Sequence, residues 1–383
     1  MSHAAQFLSD RFDERLCRRP TGGLGPGVSM VDLEESAGHA APPQGGFEAV
    51  SLIDWIALMP HKFNAGRRHK FAKKRYRITN WAGYNESLRR RGDVTIWLSP
   101  EVEAAWRAER RKTRGGQPVH SDLSIGTCLT LGIVYNQPLR QTEGFVGSLV
   151  KLMGLDLLVP DYSTLSRRGA GLILPMKARA STDGPIHLVV DSTGLKIFGE
   201  GEWLENKHKT KAKRKSWRKL HLGLDLVTGE IACSELTTDD VGDPTALPEL
   251  LDQIDGDVTR FIADGAYDGD PTSDLLVKLF GVDVEITIPP PKTAVLSAEA
   301  VGNPTLRDQR IAAIRTGGRM AWQVSSGYNQ RSRGETQMGR WKMVIGPKLK
   351  ARSFPNQKTE AKIGTHILNK MTELGRAKFE VVS

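Results

Sequence analysis

Cysteine is scarce in this chain. Cys17, Cys128 and Cys233 are the only three in 383 residues, and no two of them form a Cys-x-x-Cys pair. That spacing excludes a disulfide framework and a zinc knuckle, and a reducing, cytoplasmic compartment is expected. There is no run of eighteen apolar residues and no basic-then-apolar leader, so neither a membrane span nor a secretory signal is read. Acid is the minority charge. Asp plus Glu number 44 against 54 Lys plus Arg, which leaves a net charge of +10 and a pI near 9.5.

A basic balance points to a polyanionic partner, and its clustering sharpens the point. One basic block covers residues 62–77, a second is Arg89, Arg90 and Arg91, and a third covers 107–114. The fourth, 207–219, holds eight cations and no acid. Aromatics are interleaved in two of the blocks: Phe63, Phe71 and Tyr76 in the first, Trp217 in the fourth. A single such run is as well explained by a solvated loop, but four of them favour binding to a phosphate backbone.

Along the chain, residues 1–50 are rich in Gly, Pro, Ala and Ser and read as a poorly ordered extension, with at most a short helix around 4–16. Residues 51–118 form a basic region expected to bind DNA. Ser99, Pro100 and Glu101 start a helix there that is expected to end in Arg110, Arg111 and Lys112. Residues 119–180 read as helices: one after Asp122 with Leu123, Ile125, Leu129, Leu131 and Val134 inward, one opened by Pro138, and a short one starting at Ser163. The last two, with Arg167 and Arg168 at the end, loosely fit a helix-turn-helix; an ordinary helical subdomain fits equally well.

Beyond residue 181 strands appear. An apolar strand over 186–190 ends at Asp191, and strands over 219–226 and 231–236 form a hairpin across Thr228-Gly229. A helix follows Asp243-Pro244, a strand over 259–263 ends at Asp264, a helix follows Asp270-Pro271, and a fifth strand covers 282–288. This alternation implies an α/β unit over 181–375 with a mixed sheet covered on both faces, and residues 376–383 are left as a tail.

Asp191 and Asp264 share a context, each closing an apolar strand ahead of small turn-forming residues. Ligands bind at such strand ends in open α/β sheets. In this strand order the first and fourth strands can lie side by side, which brings the two carboxylates together. A third acid comes from the segment 327–342. Tyr328, Arg331, Glu335 and Lys342 are spaced three, four and seven apart. At about 100° per residue a helix would place all four within about 60° of one another. Asp191, Asp264 and Glu335 together form a set of hard oxygen ligands, with no Cys or His among them. Such a set suits Mg²⁺ or Mn²⁺, and two such ions can clamp an in-line displacement at phosphorus. Each acid alone is more simply a turn or surface residue. The case rests on the combination.

These residues carry a resemblance. The chain resembles the DDE transposases of bacterial insertion sequences, in particular the insertion sequence 5 group of the insertion sequence 4 family, through the Tyr-Arg-Glu-Lys signature met by Tyr328, Arg331, Glu335 and Lys342. Asp191 in Val-Val-Asp-Ser-Thr-Gly-Leu-Lys and Asp264 in Ile-Ala-Asp-Gly-Ala-Tyr-Asp resemble the first and second aspartates of that family. The likeness extends over roughly residues 55–375 and includes Leu139-Arg140-Gln141-Thr142-Glu143-Gly144-Phe145.

The resemblance implies a ribonuclease-H-like fold preceded by a mainly helical basic region. It also implies two-metal cleavage of terminal inverted repeats and joining of the 3′-OH ends to target DNA. The partners implied are double-stranded DNA, both transposon ends and target, and further copies of the chain in a homodimer or higher oligomer on DNA. A nucleoid-associated location follows, with no membrane and no small-molecule cofactor. Asp191, Asp264 and Glu335 would hold the metals, and Tyr328, Arg331 and Lys342 would contact phosphates. Lys219 and His221 are placed near substrate DNA, with a core-edge histidine as the alternative. Trp322 could stack on a flipped base, though core packing is the preferred reading. A nuclease on the same fold, or a non-enzymatic DNA-binding descendant, are the competing functions.

Overall fold

The computed structural model describes residues 75–174, 184–197, 217–298 and 300–382. The extension over 1–50, with its short helix, most of the first basic block and residues 207–216 of the fourth lie outside the described residues. No helix among the described residues is long and apolar enough to cross a membrane.

Two compact units emerge, Met1–Gly92 with Ala377–Ser383, and Asp93–Arg376. In the first, strand β1 (Arg75–Ile78) pairs antiparallel with β8 (Phe379–Val382), so the residues read as a tail form a strand. Helix α1 (Trp81–Arg91) follows and ends in Arg89, Arg90 and Arg91, cations set against the negative end of its dipole.

The second unit opens with two short helical turns, Val94–Trp97 and Pro100–Ala104. The helix begun by Pro100 stops well before the expected Lys112. Trp106 instead turns inward, 1% exposed, and its indole N–H donates to the Leu158 carbonyl at 2.7 Å. Three helices come next: α2 (Asp122–Val134), α3 (Leu139–Leu152) and α4 (Tyr162–Gly169). Their caps are local. The Ser121 hydroxyl accepts from the Ser124 N–H, and the Asp161 carboxylate accepts from Ser163 and Thr164. Ile125, Leu131, Val146 and Leu165 form the core of this layer, while Leu123, expected inward, is exposed. Arg168 has an intramolecular role, donating to the Asp122 carboxylate at 2.5 Å and the His120 carbonyl at 2.8 Å.

The sheet runs in the order β4-β3-β2-β5-β6. Strands β2 (Ile186–Ile197), β3 (Trp217–Asp225) and β4 (Ile231–Thr238) are antiparallel. Helix α5 (Asp243–Leu251) leads to β5 (Val258–Ile262), and α6 (Asp270–Phe280) leads to β6 (Glu285–Thr287). Both β5 and β6 run parallel to β2. The expected first and fourth strands are therefore neighbours. Strand β2 does not end at Asp191, however. It continues to Ile197, because residues 192–196 stay paired with β3.

After β6 come α7 (Leu306–Gly317), α8 (Arg319–Ser325), α9 (Ser332–Val344) and, beyond the two-residue strand β7 (Lys348–Leu349), the long α10 (Phe354–Glu373). Leu188 and Val190 face Leu247 of α5 and Leu276 of α6. On the other face Leu195, Leu220 and Leu222 meet Met338 and Trp341 of α9 and Ala361 and Leu368 of α10. Helix α10 also sends Ile363, Ile367 and Met371 into the α2–α4 core, so one helix joins the helical layer to the sheet. The result is a mixed α/β unit with helices on both sheet faces, compatible with a ribonuclease-H-like transposase fold.

Candidate active site

The parallel register of β2 and β5 decides where the first two acids lie. Val189 pairs with Ile262, and Asp191 and Asp264 each come two residues later, so they stand level on adjacent strands. Asp264 leaves the strand and caps the 3₁₀ turn Gly265–Tyr267, its Oδ1 accepting from the Ala266 N–H at 2.9 Å. The Oδ1 of Asp191 accepts from the Ser192 N–H at 2.9 Å. In both residues one oxygen is thus held by backbone and the other, Oδ2, is left to the site.

Segment 327–342 is helical in two pieces. Tyr328–Arg331 is a 3₁₀ turn entered through Gly327 in the left-handed region, and α9 begins at Ser332. The single helical wheel drawn through all four signature residues therefore breaks at Arg331. Glu335 lies in the first turn of α9, next to the positive end of the helix dipole, and its side chain is 60% exposed. Gly334 lets α9 rest directly on β2. A Cβ there would stand 3.1 Å from Val189 Cγ1 and 3.5 Å from Asp191 Cβ. The close approach that this glycine permits is to the strand carrying Asp191.

Arg331 occupies the middle of the three acids. Its Nη1 donates to Glu335 Oε1 at 2.6 Å, and its Nη2 lies 3.5 Å from Asp191 Oδ2 and 3.7 Å from Asp264 Oδ2. The sequence offered a signal for one of these contacts, since Arg331 and Glu335 have the i,i+4 spacing of a helical ion pair. It offered none for the other two. Burial opposes the charge on Arg331, but Asp191, Tyr328, Asp264 and Glu335 outweigh it and hold its pKa above the ordinary value. Burial pushes the Asp191 carboxyl up, with Arg331 and the Ser192 N–H pulling the other way.

Tyr328 is half-buried against Val189, Leu224, Leu226 and Ile262, with its ring 5.8 Å from that of Trp322. Burial pushes its phenol up, so the hydroxyl stays protonated and able to donate. Trp322 itself is 7% exposed, a packing residue in this structure. Lys342 is half-buried in the last turn of α9, about 10 Å up the helix axis from Glu335 at 1.5 Å per residue.

Lys219 and His221 face the other way. Leu222 is the partner of Asp191 and His221 that of Ser192, so the pleat puts His221 and Lys219 on the opposite sheet face. Both meet Asp243 at the start of α5, Lys219 Nζ at 3.3 Å and His221 Nδ1 at 3.5 Å. His221 is fully buried, and its Nε2 is 2.9 Å from Thr237 Oγ1. It has no surface with which to meet DNA and sits as a core histidine.

The donor set suits a divalent cation: three hard anionic oxygens on three elements, already gathered around one positive charge. Among the described residues no three acidic, histidine or cysteine side chains stand close enough to hold one ion as they are.

Two family models, each described as a transposase DDE domain, match this chain. One covers residues 89–200 and the other residues 182–370. Over those residues the chain is similar to transposase DDE domains. The second match contains Asp191, Asp264 and Glu335. Such domains indicate a DNA-cleaving transposase in general terms and generally use divalent metal ions. Among solved structures, one of piggyBac transposase in a synaptic complex with hairpin DNA is similar over 80% of this chain and 80% of that one. Its identity is 12% and its TM-score 0.32, too slight a likeness to carry any argument about this site.

Proposed function

We propose that this DDE domain belongs to an insertion-sequence transposase that cleaves the terminal inverted repeats of its own element and joins the freed 3′-OH ends to target DNA. The observation that carries this reading is the convergence of Asp191, Asp264 and Glu335, from two adjacent strands and one helix, on a single cation. In this reading the three acids hold Mg²⁺ or Mn²⁺, two ions. The ions supply activation of the attacking oxygen and stabilisation of the leaving one.

The chain's own residues do the rest. The Ser192 and Ala266 N–H groups each hold Oδ1 of one aspartate, which leaves Oδ2 of each free to hold an ion. The Tyr328 hydroxyl donates a hydrogen bond to a non-bridging phosphate oxygen. Arg331, permanently charged, supplies a planar fork to the same phosphate, and Lys342 holds the strand farther along α9. The arginines of residues 107–114, and separately those of α1, bind backbone phosphates. Double-stranded DNA and a second copy of the chain are the partners, since two transposon ends must be cut together.

The test is cleavage of DNA carrying the element's own ends, in Mg²⁺, by the full chain and by Asp191→Asn, Asp264→Asn and Glu335→Gln. Loss of cutting in all three with end binding retained is the expected result. Substantial cutting by any one of them would refute the assignment. Pre-nicked ends then separate transposase from nuclease, because only a transposase joins them to target DNA. A wild-type chain that binds ends and never cuts is a binding protein.

A further inference from the structure

The oxygens that Arg331 faces are the ones that a metal ion needs. Oδ1 of Asp191 and Oδ1 of Asp264 already accept backbone N–H groups, from Ser192 and Ala266. What remains is Oδ2 of each aspartate and the exposed carboxylate of Glu335. Arg331 Nη2 stands against both Oδ2 atoms, and Nη1 is hydrogen-bonded to Glu335 Oε1. Three carboxylates this close repel one another unless a cation lies between them. A guanidinium, planar and with donors on separate nitrogens, serves all three acids at once here. Two cations cannot occupy that space together.

We infer that Arg331 is the resident counter-cation of the carboxylate site, and that a divalent ion binds by displacing it. This rests on the metal-binding reading above and deepens it. Arg331 ends a 3₁₀ turn that follows the left-handed Gly327 and caps α9 from outside its interior, so its side chain can swing away without unwinding the helix that carries Glu335. Its Nε has no hydrogen-bond partner among the described residues, so the side chain is held at its end by the two terminal nitrogens. Once displaced, the guanidinium lies beside the site as a free charged fork, ready for a phosphate. Metal loading and phosphate binding therefore favour each other through one side chain, and the coupling is reciprocal.

Mn²⁺ binding to the full chain without DNA, followed by calorimetry and by the loss of the free-ion electron paramagnetic resonance signal, tests this. If Arg331 holds the site in about nine molecules in ten, Arg331→Gln binds Mn²⁺ about tenfold more tightly than wild type. Arg331→Lys keeps the charge but puts its donors on one nitrogen of a shorter side chain, in place of the separate Nη1 and Nη2 contacts, and it also binds more tightly than wild type. Arg333→Gln removes a charge two residues along, outside the cluster, and stays within about twofold of wild type.

Without metal, Arg331→Gln melts below wild type, and saturating Mn²⁺ raises its melting temperature by more. Equal tightening in Arg331→Gln and Arg333→Gln would show only an effect of net charge and overturn the proposal. So would an Arg331→Lys that binds no more tightly than wild type. Normal Mn²⁺ binding by wild type, lost in Asp191→Asn and unchanged in Arg331→Gln, sinks the counter-cation while leaving the metal site standing. No Mn²⁺ binding by wild type or Arg331→Gln removes both.

Discussion

Gly334 offers a quantitative test of how Glu335 is brought to the other two acids. Helix α9 contains two glycines in contrasting surroundings. A Cβ on Gly339 would meet nothing within 4 Å, whereas one on Gly334 would lie 3.1 Å from Val189 Cγ1 and 3.5 Å from Asp191 Cβ. Gly339→Ala should therefore show the full helix-propensity gain, stabilising by about 1 kcal/mol. Gly334→Ala receives the same gain and loses it again, because carbon atoms prefer to sit about 3.5–4.0 Å apart. Val189 cannot retreat: it is 1% exposed on the central strand. Overpacking of this kind costs about 1–3 kcal/mol, so Gly334→Ala should fall below Gly339→Ala by that amount.

Gly334→Val adds two methyl groups to the same contact and should fall at least about 2 kcal/mol below Gly339→Ala. Urea unfolding of the three variants, followed by circular dichroism, gives the differences directly, and end cleavage gives the functional consequence. Both Gly334 variants should cut poorly, since lifting α9 off β2 carries Glu335 away from Asp191, while Gly339→Ala should cut at the wild-type rate. A Gly334→Ala as stable and as active as Gly339→Ala would mean that α9 does not rest on β2. The convergence of the three acids would then fall with it.

Three other perturbations probe the scaffold. A Cβ on Gly364 of α10 would stand 2.4 Å from Trp341 Cη2, so Gly364→Ala should destabilise by about 1–3 kcal/mol in urea unfolding, unlike an alanine at an open helical site. Asp225 is buried and accepts from the His187, Val227 and Thr228 N–H groups and the Thr228 hydroxyl; Asp225→Ala strands those donors and should cost about 3 kcal/mol by the same assay. Burial lowers the pKa of His221, with Asp243 and Glu235 opposing it and Lys219 assisting. A histidine lowered in the folded state contributes stability that is present above its unfolded pKa of about 6.5 and is lost as pH falls through that value. The urea midpoint should thus drop between pH 7 and pH 5, and His221→Gln should drop less; an equal drop would refute the assignment.

How much of this was legible in the chain depended on how local the cause was. The hairpin across Thr228-Gly229 and the helices after Asp243-Pro244 and Asp270-Pro271 appear where turn residues and caps place them, whereas β2 runs past its expected end to Ile197 because pairing with β3 extends it. Helix α7 carries a full capping box, the Thr305 hydroxyl and the Asp308 carboxylate each accepting from the other's N–H, a local signal that was present and went unread. The Pro100 helix is shorter than local propensity predicts, ending at Ala104 ahead of the buried Trp106.

The sequence by itself determined that two aspartates would follow apolar strand segments able to lie side by side, that Arg331 and Glu335 would be spaced as a helical ion pair, and that the chain would carry a surplus of cations. Those are consequences of periodicity, spacing and composition. Only the tertiary structure decided that Arg331 turns toward all three acids, that His221 faces the sheet side away from Asp191, and that α10 joins the helical layer to the sheet. The reason is physical. Sheet pairing and helix docking are set by contacts between residues far apart in the chain, and the direction in which one buried cation points depends on every charge that those contacts bring around it.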